Sequence, residues 1–217
     1  MKTAIILGAT GLVGDLVLKQ LLNDNRYAKV IVFGRRSCGV QHTKFEERIV
    51  DLFNLETNAD KFKADVVFCC IGTTKAKTPK TETYAKIDYG IPVAAAKLCK
   101  RNNIETFIVI SALGANPNSS VFYTRLKGEM ERDVLAQNIK NTFLLQPSII
   151  GGNRQEKRSG EFIAKNAMRI VNPFLIGVLK KYRAIKPETI AAAMIWLDNN
   201  VYSEKRIPSD KIKALVI

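Results

Sequence analysis

Ala4-Ile5-Ile6-Leu7 runs without a polar residue into Gly8-Ala9-Thr10-Gly11-Leu12-Val13-Gly14, and there the hydrophobic period changes. A short apolar run without alternation reads as a strand covered on both faces. Val13, Val17 and Leu21, with Leu12 and Leu16 beside them, then recur at helical spacing as far as Asn23. A buried strand, a glycine-rich turn and an amphipathic helix in immediate succession restrict the chain to few architectures. Buried strands without a solvent face belong to parallel sheets covered by helices on both sides.

The rest of the chain repeats the pattern. Val30–Phe33, Arg48–Asp51, Asp65–Ile71, Phe107–Ile110 and Thr142–Leu145 read as further strands. Helical spacing appears over Thr83–Arg101, with a restart expected at Gly90 and Pro92, and over Ser120–Gln137. Alternating strands and helices imply βαβ units with right-handed crossovers. The expected fold is α/β: a Rossmann doubly wound parallel sheet flanked by helices, with a small, mainly helical C-terminal lobe. That lobe would hold helices at Gly160–Ile170, Pro187–Leu197 and Ser209–Leu215. The composition, 217 residues with 47% hydrophobic and 25% charged, suits one globular domain. Within it, 1–150 would be the nucleotide-binding core and 151–217 the substrate-side lobe.

The glycine turn carries the first chemistry. Gly8 would permit the tight turn, Gly11 a close backbone approach, and Gly14 the packing of helix on strand. Phosphates would then sit at the helix N-terminus, where free N–H groups and the helix dipole favour an anion. The expected cofactor contacts of this loop are Gly8, Thr10, Gly11, Leu12, Val13 and Gly14. At the end of the second strand, an NAD-selective sheet carries Asp or Glu on the ribose 2′-hydroxyl. Here Gly34 is followed by Arg35 and Arg36. Guanidinium groups grip a 2′-phosphate that a carboxylate would repel, so the expected cofactor is NADP(H).

Ser111, Tyr123 and Lys127 form the candidate catalytic set. Ser111 ends the fifth strand, on the rim where a nicotinamide would lie. Tyr123 and Lys127 are four residues apart and share a helix face. A phenol titrates near pH 10, too high for acid–base work at neutrality, and a neighbouring ammonium lowers that value. The serine hydroxyl would hydrogen-bond a substrate carbonyl beside the phenol.

Together these features resemble the short-chain dehydrogenase/reductase superfamily, in particular its extended or atypical branch. Within that branch the chain is similar to the Tat-interactive-protein oxidoreductase family and its bacterial relatives. The likeness runs through Cys70-Ile71-Gly72-Thr73-Thr74, Ile87-Asp88, Ser111–Ala115, Phe122-Tyr123 with Lys127-Gly128-Glu129, and Arg154-Gln155-Glu156 with Arg158 and Gly160-Glu161. It implies an NADPH-binding fold in which Asp51 and Leu52 flank the adenine, and Gly72 and Thr73 line the inner ribose. It also implies that Lys127 holds the ribose and that Pro147 and Ser148 close over the nicotinamide. Two positions depart from the family pattern: Gln146 stands where many relatives have Arg, and Asp88 where extended members often have Asn.

Several function classes are disfavoured. The formal charge is +14, but the first 110 residues carry +6 and the remainder +8, a spread excess rather than a nucleic-acid patch. No apolar run approaches the roughly 18 residues a bilayer span requires. The one histidine, His42, and the scattered Cys38, Cys69, Cys70 and Cys99 offer no regular metal or disulfide spacing. Unpaired thiols and the lack of a signal peptide point to a cytoplasmic protein. The expected activity is hydride transfer to or from a small carbonyl or alcohol by a monomer or homodimer. An NADP(H)-binding regulator or redox sensor with little turnover stays open as the alternative, and sugar-nucleotide epimerase or dehydratase chemistry is a weaker third.

Overall fold

In the computed structural model, which describes residues 1–151 and 177–216, the apolar run becomes β1 (Lys2–Leu7) at the middle of the sheet. It pairs in parallel with β2 (Tyr27–Gly34) on one side and with β4 (Val66–Cys69) on the other. β3 (Phe45–Ile49) extends the β2 edge; β5 (Thr106–Ile110), β6 (Asn141–Gln146) and β7 (Arg206–Pro208) extend the other. The sheet has seven parallel strands in the order β3-β2-β1-β4-β5-β6-β7.

Both faces of β1 are covered, which is why its sequence does not alternate. Ala4 and Ile6 pack with Val17, Leu18 and Leu21 of α1 (Leu12–Asn23) and with Ile190 and Met194 of α5 (Pro187–Asn199). Ile5 and Leu7 point the other way, toward Val93, Ala96 and Cys99 of α3 (Ile91–Arg101) and Met130 and Val134 of α4 (Phe122–Leu135). Full burial of each Val, Leu, Ile or Met side chain here contributes about 1.5–3 kcal/mol. Strand order reverses between β1 and β4, so the chain leaves the sheet in opposite directions there and opens the crevice where such folds bind ligands. A bond from Cys70 N–H to the Leu7 carbonyl, 2.8 Å, keeps the two strand ends side by side.

Three details differ from the sequence expectation. The third strand lies earlier, at Phe45–Ile49, because it is an edge strand with no fully buried residue and its polar Glu46-Glu47 hides it from a search for apolar runs. The helical region does not restart at Gly90: α2 (Thr81–Ala85) continues through a π turn, Lys86–Gly90, into α3. The π turn lets Ile91 N–H reach the Lys86 carbonyl and accommodates Pro92, which has no N–H to give. Finally, Arg206–Pro208 adds a seventh strand before α6 (Ser209–Ala214); three residues ending in proline give no strand signal, but proline suits a sheet edge. The C-terminal helices at Pro187 and Ser209 are present as expected, and the one expected at Gly160–Ile170 lies outside the described residues.

Candidate active site

Gly8 has φ +85°, a backbone conformation that L side chains rarely adopt, and a Cβ there would stand 2.8 Å from the Cys70 carbonyl oxygen. A Cβ on Gly14 would stand 2.1 Å from the Gly8 oxygen, so only glycine lets α1 pack this close to the turn. Gly11 starts α1 with extended backbone and no side-chain cap, leaving the first N–H groups of the helix to a ligand. From Thr10, Gly11, Leu12 and Val13 a cleft of about 1500 Å³ continues past Gly72 and Thr73 to Ser111, Tyr123, Lys127, Pro147 and Ser148. This cradle fits an extended anionic nucleotide: bare backbone at one end, polar side chains at the other.

The remaining expected cofactor contacts lie outside the cleft lining. Arg35 and Arg36 are exposed on the segment leaving β2. Its next turn is anchored to β3, where Cys38 N–H donates to Glu47 at 2.7 Å. Asp51 is exposed and caps the following short helix, accepting from Phe53 N–H at 3.0 Å and Asn54 Nδ2 at 2.6 Å. Leu52 is 4% exposed and belongs to the core beside Phe33 and Phe62.

At the other end of the cleft, Lys127 and Asp88 form an ion pair of 3.0 Å with side chains only 4% and 2% exposed. Burial works against the Lys127 ammonium, but the Asp88 carboxylate, helped by Tyr123, outweighs it and holds the lysine above its ordinary pKa. The second Asp88 oxygen accepts from Thr73 N–H at 2.8 Å. The π turn carrying Asp88 thus ties the Gly72–Thr74 loop to α4. Lys127 also lies 3.4 Å from the Ile110 carbonyl. Tyr123, one turn earlier on α4, is 40% exposed and opens onto the cleft.

Ser111 lines the same cleft, but its hydroxyl is already engaged. It donates to the buried carboxylate of Glu131 at 2.5 Å, so it is not the free donor expected from the sequence. Glu131 also accepts from Gln146 and from Arg206 of β7, at 2.8 Å each. Glu131 is not among the site residues expected from the sequence, although Tyr123, Lys127 and Glu131 repeat at one helical turn. Nor is Tyr84, which lines the cleft and donates to the Thr73 carbonyl at 3.3 Å. Gly128 follows Lys127 on α4. A Cβ there would stand 2.2 Å from Pro117 N, so this glycine lets the loop after β5 lie against α4.

Pro147 and Ser148 follow β6 at the cleft edge. The Ser148 hydroxyl donates to the Arg183 carbonyl at 2.5 Å and lies 3.0 Å from Ser209 Oγ. Ile185 N–H donates to the Ile149 carbonyl at 3.0 Å, bringing Tyr182 and Glu188 to the cleft wall. Lys75 and Lys77 line it near Thr74. Arg154-Gln155-Glu156, Arg158 and Gly160-Glu161 lie outside the described residues.

Residues 8–152 match the family model for NAD(P)H-binding. The chain is 34% identical over 183 residues to protein FMP52-1, mitochondrial, of Scheffersomyces stipitis, covering 82% of this chain and 76% of that protein. It is 32% identical over 168 residues to protein HTATIP2 of Rattus norvegicus, covering 76% and 69%. Among solved structures it resembles the Bordetella bronchiseptica enzyme WbmH in complex with NAD+, with TM-score 0.71, 14% identity and 96% and 75% coverage. The Helicobacter pylori ADP-L-glycero-D-manno-heptose-6-epimerase gives TM-score 0.67 at 18% identity, with 95% and 76% coverage. At such identities these structures speak for the fold alone. The relatives also correct one expectation. FMP52 proteins of Scheffersomyces stipitis, Candida glabrata, Debaryomyces hansenii and Aspergillus niger are named mitochondrial, which overturns the cytoplasmic placement. Unpaired thiols do not distinguish the cytoplasm from a reducing organelle interior. Among the described residues no helix is long and apolar enough to cross a membrane.

Proposed function

The chain belongs to the NAD(P)H-binding family of atypical short-chain dehydrogenases/reductases, with HTATIP2 and FMP52 proteins among its relatives, and on that premise we propose that it is an NADP(H)-dependent oxidoreductase for a small carbonyl or alcohol. The observation that carries this reading is the continuity of one cleft from the uncapped N-terminus of α1 to Ser111, Tyr123 and Lys127. We read the chain as one domain built around it.

Each residue has a role. Thr10, Gly11, Leu12 and Val13 offer backbone to the pyrophosphate, with Gly8 and Gly14 shaping the turn. Arg35 and Arg36 flank the adenosine end and meet the 2′-phosphate, which selects NADP(H) over NAD(H). Asp51 and Leu52 set the wall beside the adenine. Gly72 and Thr73 face the inner ribose, and Pro147 with Ser148 borders the nicotinamide. When bound, the nicotinamide supplies or accepts the hydride. Tyr123 gives or takes the proton at its phenol oxygen. Lys127, fixed by Asp88, places a positive charge one turn away that favours the phenolate. Ser111 holds the polar group of the substrate beside Tyr123.

The test is Tyr123→Phe. NADPH should bind this variant as it binds the wild type, while turnover of a panel of small aldehydes and ketones falls by at least about a hundredfold, the usual scale of a lost acid–base group. Undiminished turnover would remove Tyr123 from the chemistry. Tight NADPH binding with no turnover by the wild type would assign the chain to a sensor role.

A further inference from the structure

Glu131 is 1% exposed, and its carboxylate is reached from three strand ends. One oxygen accepts from Ser111 Oγ at 2.5 Å and from Gln146 Nε2 at 2.8 Å; the other accepts from Arg206 Nε at 2.8 Å. Arg206 has donors only and keeps its charge, so the group it faces is an acceptor. The single proton of the Ser111 hydroxyl is therefore committed to Glu131. What Ser111 has left for the cleft is lone pairs. To donate to a substrate it would have to give up a charge-assisted bond to a buried carboxylate.

We propose that Ser111 is a specificity-determining hydrogen-bond acceptor, that Glu131 is the positioning residue imposing this, and that the substrate carries a hydroxyl beside its reacting carbonyl. This rests on the reading of the cleft as an NADP(H)-dependent carbonyl/alcohol site and names the substrate class for it: an α-hydroxy carbonyl and the vicinal diol it becomes. The reacting carbonyl oxygen takes its hydrogen bond from Tyr123, while the neighbouring hydroxyl donates to Ser111 Oγ. In the reducing direction the carbonyl carbon receives hydride from the nicotinamide and the oxygen receives a proton from Tyr123. The product is the diol, the oxidised nicotinamide and the tyrosine phenolate, which takes its proton back from water. A plain ketone meets Tyr123 equally well but leaves the Ser111 lone pairs without a donor.

Glu131→Gln tests the idea without a change of shape. Arg206 can only donate, so it claims the amide oxygen and turns the amide nitrogen toward Ser111 and Gln146, whose own amide flips to present its oxygen as acceptor. Ser111 then accepts from Gln, and its proton is released into the cleft. The measurement is kcat/KM with NADPH for 1-hydroxypropan-2-one against acetone, two probes that differ by one hydroxyl. The wild type should prefer the hydroxyketone by at least about tenfold, the discrimination one hydrogen bond provides. In Glu131→Gln that preference should fall by at least about tenfold, with acetone improving. A purely structural role would slow both probes together and leave their ratio fixed, which overturns the proposal, as does a wild type that does not discriminate or turns over neither probe. An NADPH titration run in parallel separates the cases: binding without discrimination defeats only the acceptor role, whereas no binding defeats the cofactor reading beneath it.

Discussion

Removing either partner of the Lys127–Asp88 pair should destabilise the fold far more than removing both. The ammonium and carboxylate lie 3.0 Å apart with side chains 4% and 2% exposed, so water cannot replace the missing partner. Breaking a pair this deeply buried costs about 3–5 kcal/mol, because an uncompensated charge is left inside. Each kcal/mol lowers Tm by about 2–4 °C in a domain of this size, so Lys127→Met should melt about 6–20 °C below wild type. Asp88→Asn keeps an oxygen for Thr73 N–H but leaves the lysine charge alone, and should fall in the same range. The double variant should lose at least about 1 kcal/mol less than either single variant, since neither orphan charge remains. Urea unfolding at pH 7 of all four proteins closes the cycle. Lys127 has its pKa raised in the fold, so the stability from this pair is fully present below the ordinary lysine value near 10.5 and is lost as pH rises through the higher folded value. Between pH 6 and 9 the Lys127→Met penalty should therefore be flat. A penalty below about 1 kcal/mol, or strictly additive single changes, would refute the assignment of this pair as a coupled, buried unit.

Other expectations follow from single positions. Gly14→Ala would place a Cβ 2.1 Å from the Gly8 oxygen, so NADPH binding should weaken by at least about tenfold, readable by nicotinamide fluorescence. Burial pushes the Cys69 thiol up to about 12, and burial with the Glu47 carboxylate pushes Cys38 up to about 11. At pH 8 both should react with iodoacetamide at least about a hundredfold more slowly than free cysteine; rapid labelling of Cys38 by mass spectrometry would contradict the packing of its loop on Glu47. Gly128→Ala would set a Cβ 2.2 Å from Pro117 N and should destabilise the protein by more than the few tenths of a kcal/mol usual for a helix surface, measured by urea unfolding.

Local patterns in the chain carry much of this architecture. The run at Ala4, the glycine turn and the Val13–Leu21 stripe announce β1, the tight turn that ends it and α1, because each depends on neighbours in sequence. Tyr123 and Lys127 are legible for the same reason. Glu131 was not: its three partners are Ser111 just after β5, Gln146 of β6 and Arg206 of β7, and only tertiary packing brings them onto one carboxylate. The restart expected at Gly90 and Pro92 failed because a π turn can absorb a proline that an α-helix cannot, and that turn is what aims Asp88 at Lys127. β7 escaped notice because its pairing with β6, rather than any preference of Arg206–Pro208, makes it a strand.

The most direct test of the account is a fluorescence titration with NADPH and then NADH, on wild type and on Arg35→Ala/Arg36→Ala. The account predicts that wild type binds NADPH at least tenfold more tightly, about 1.4 kcal/mol, and that the double variant loses this preference while still binding NADH. Equal affinities in the wild type, or a preference that survives loss of both arginines, would contradict the role given to the end of β2; failure to bind either nucleotide would contradict the reading of the cleft itself.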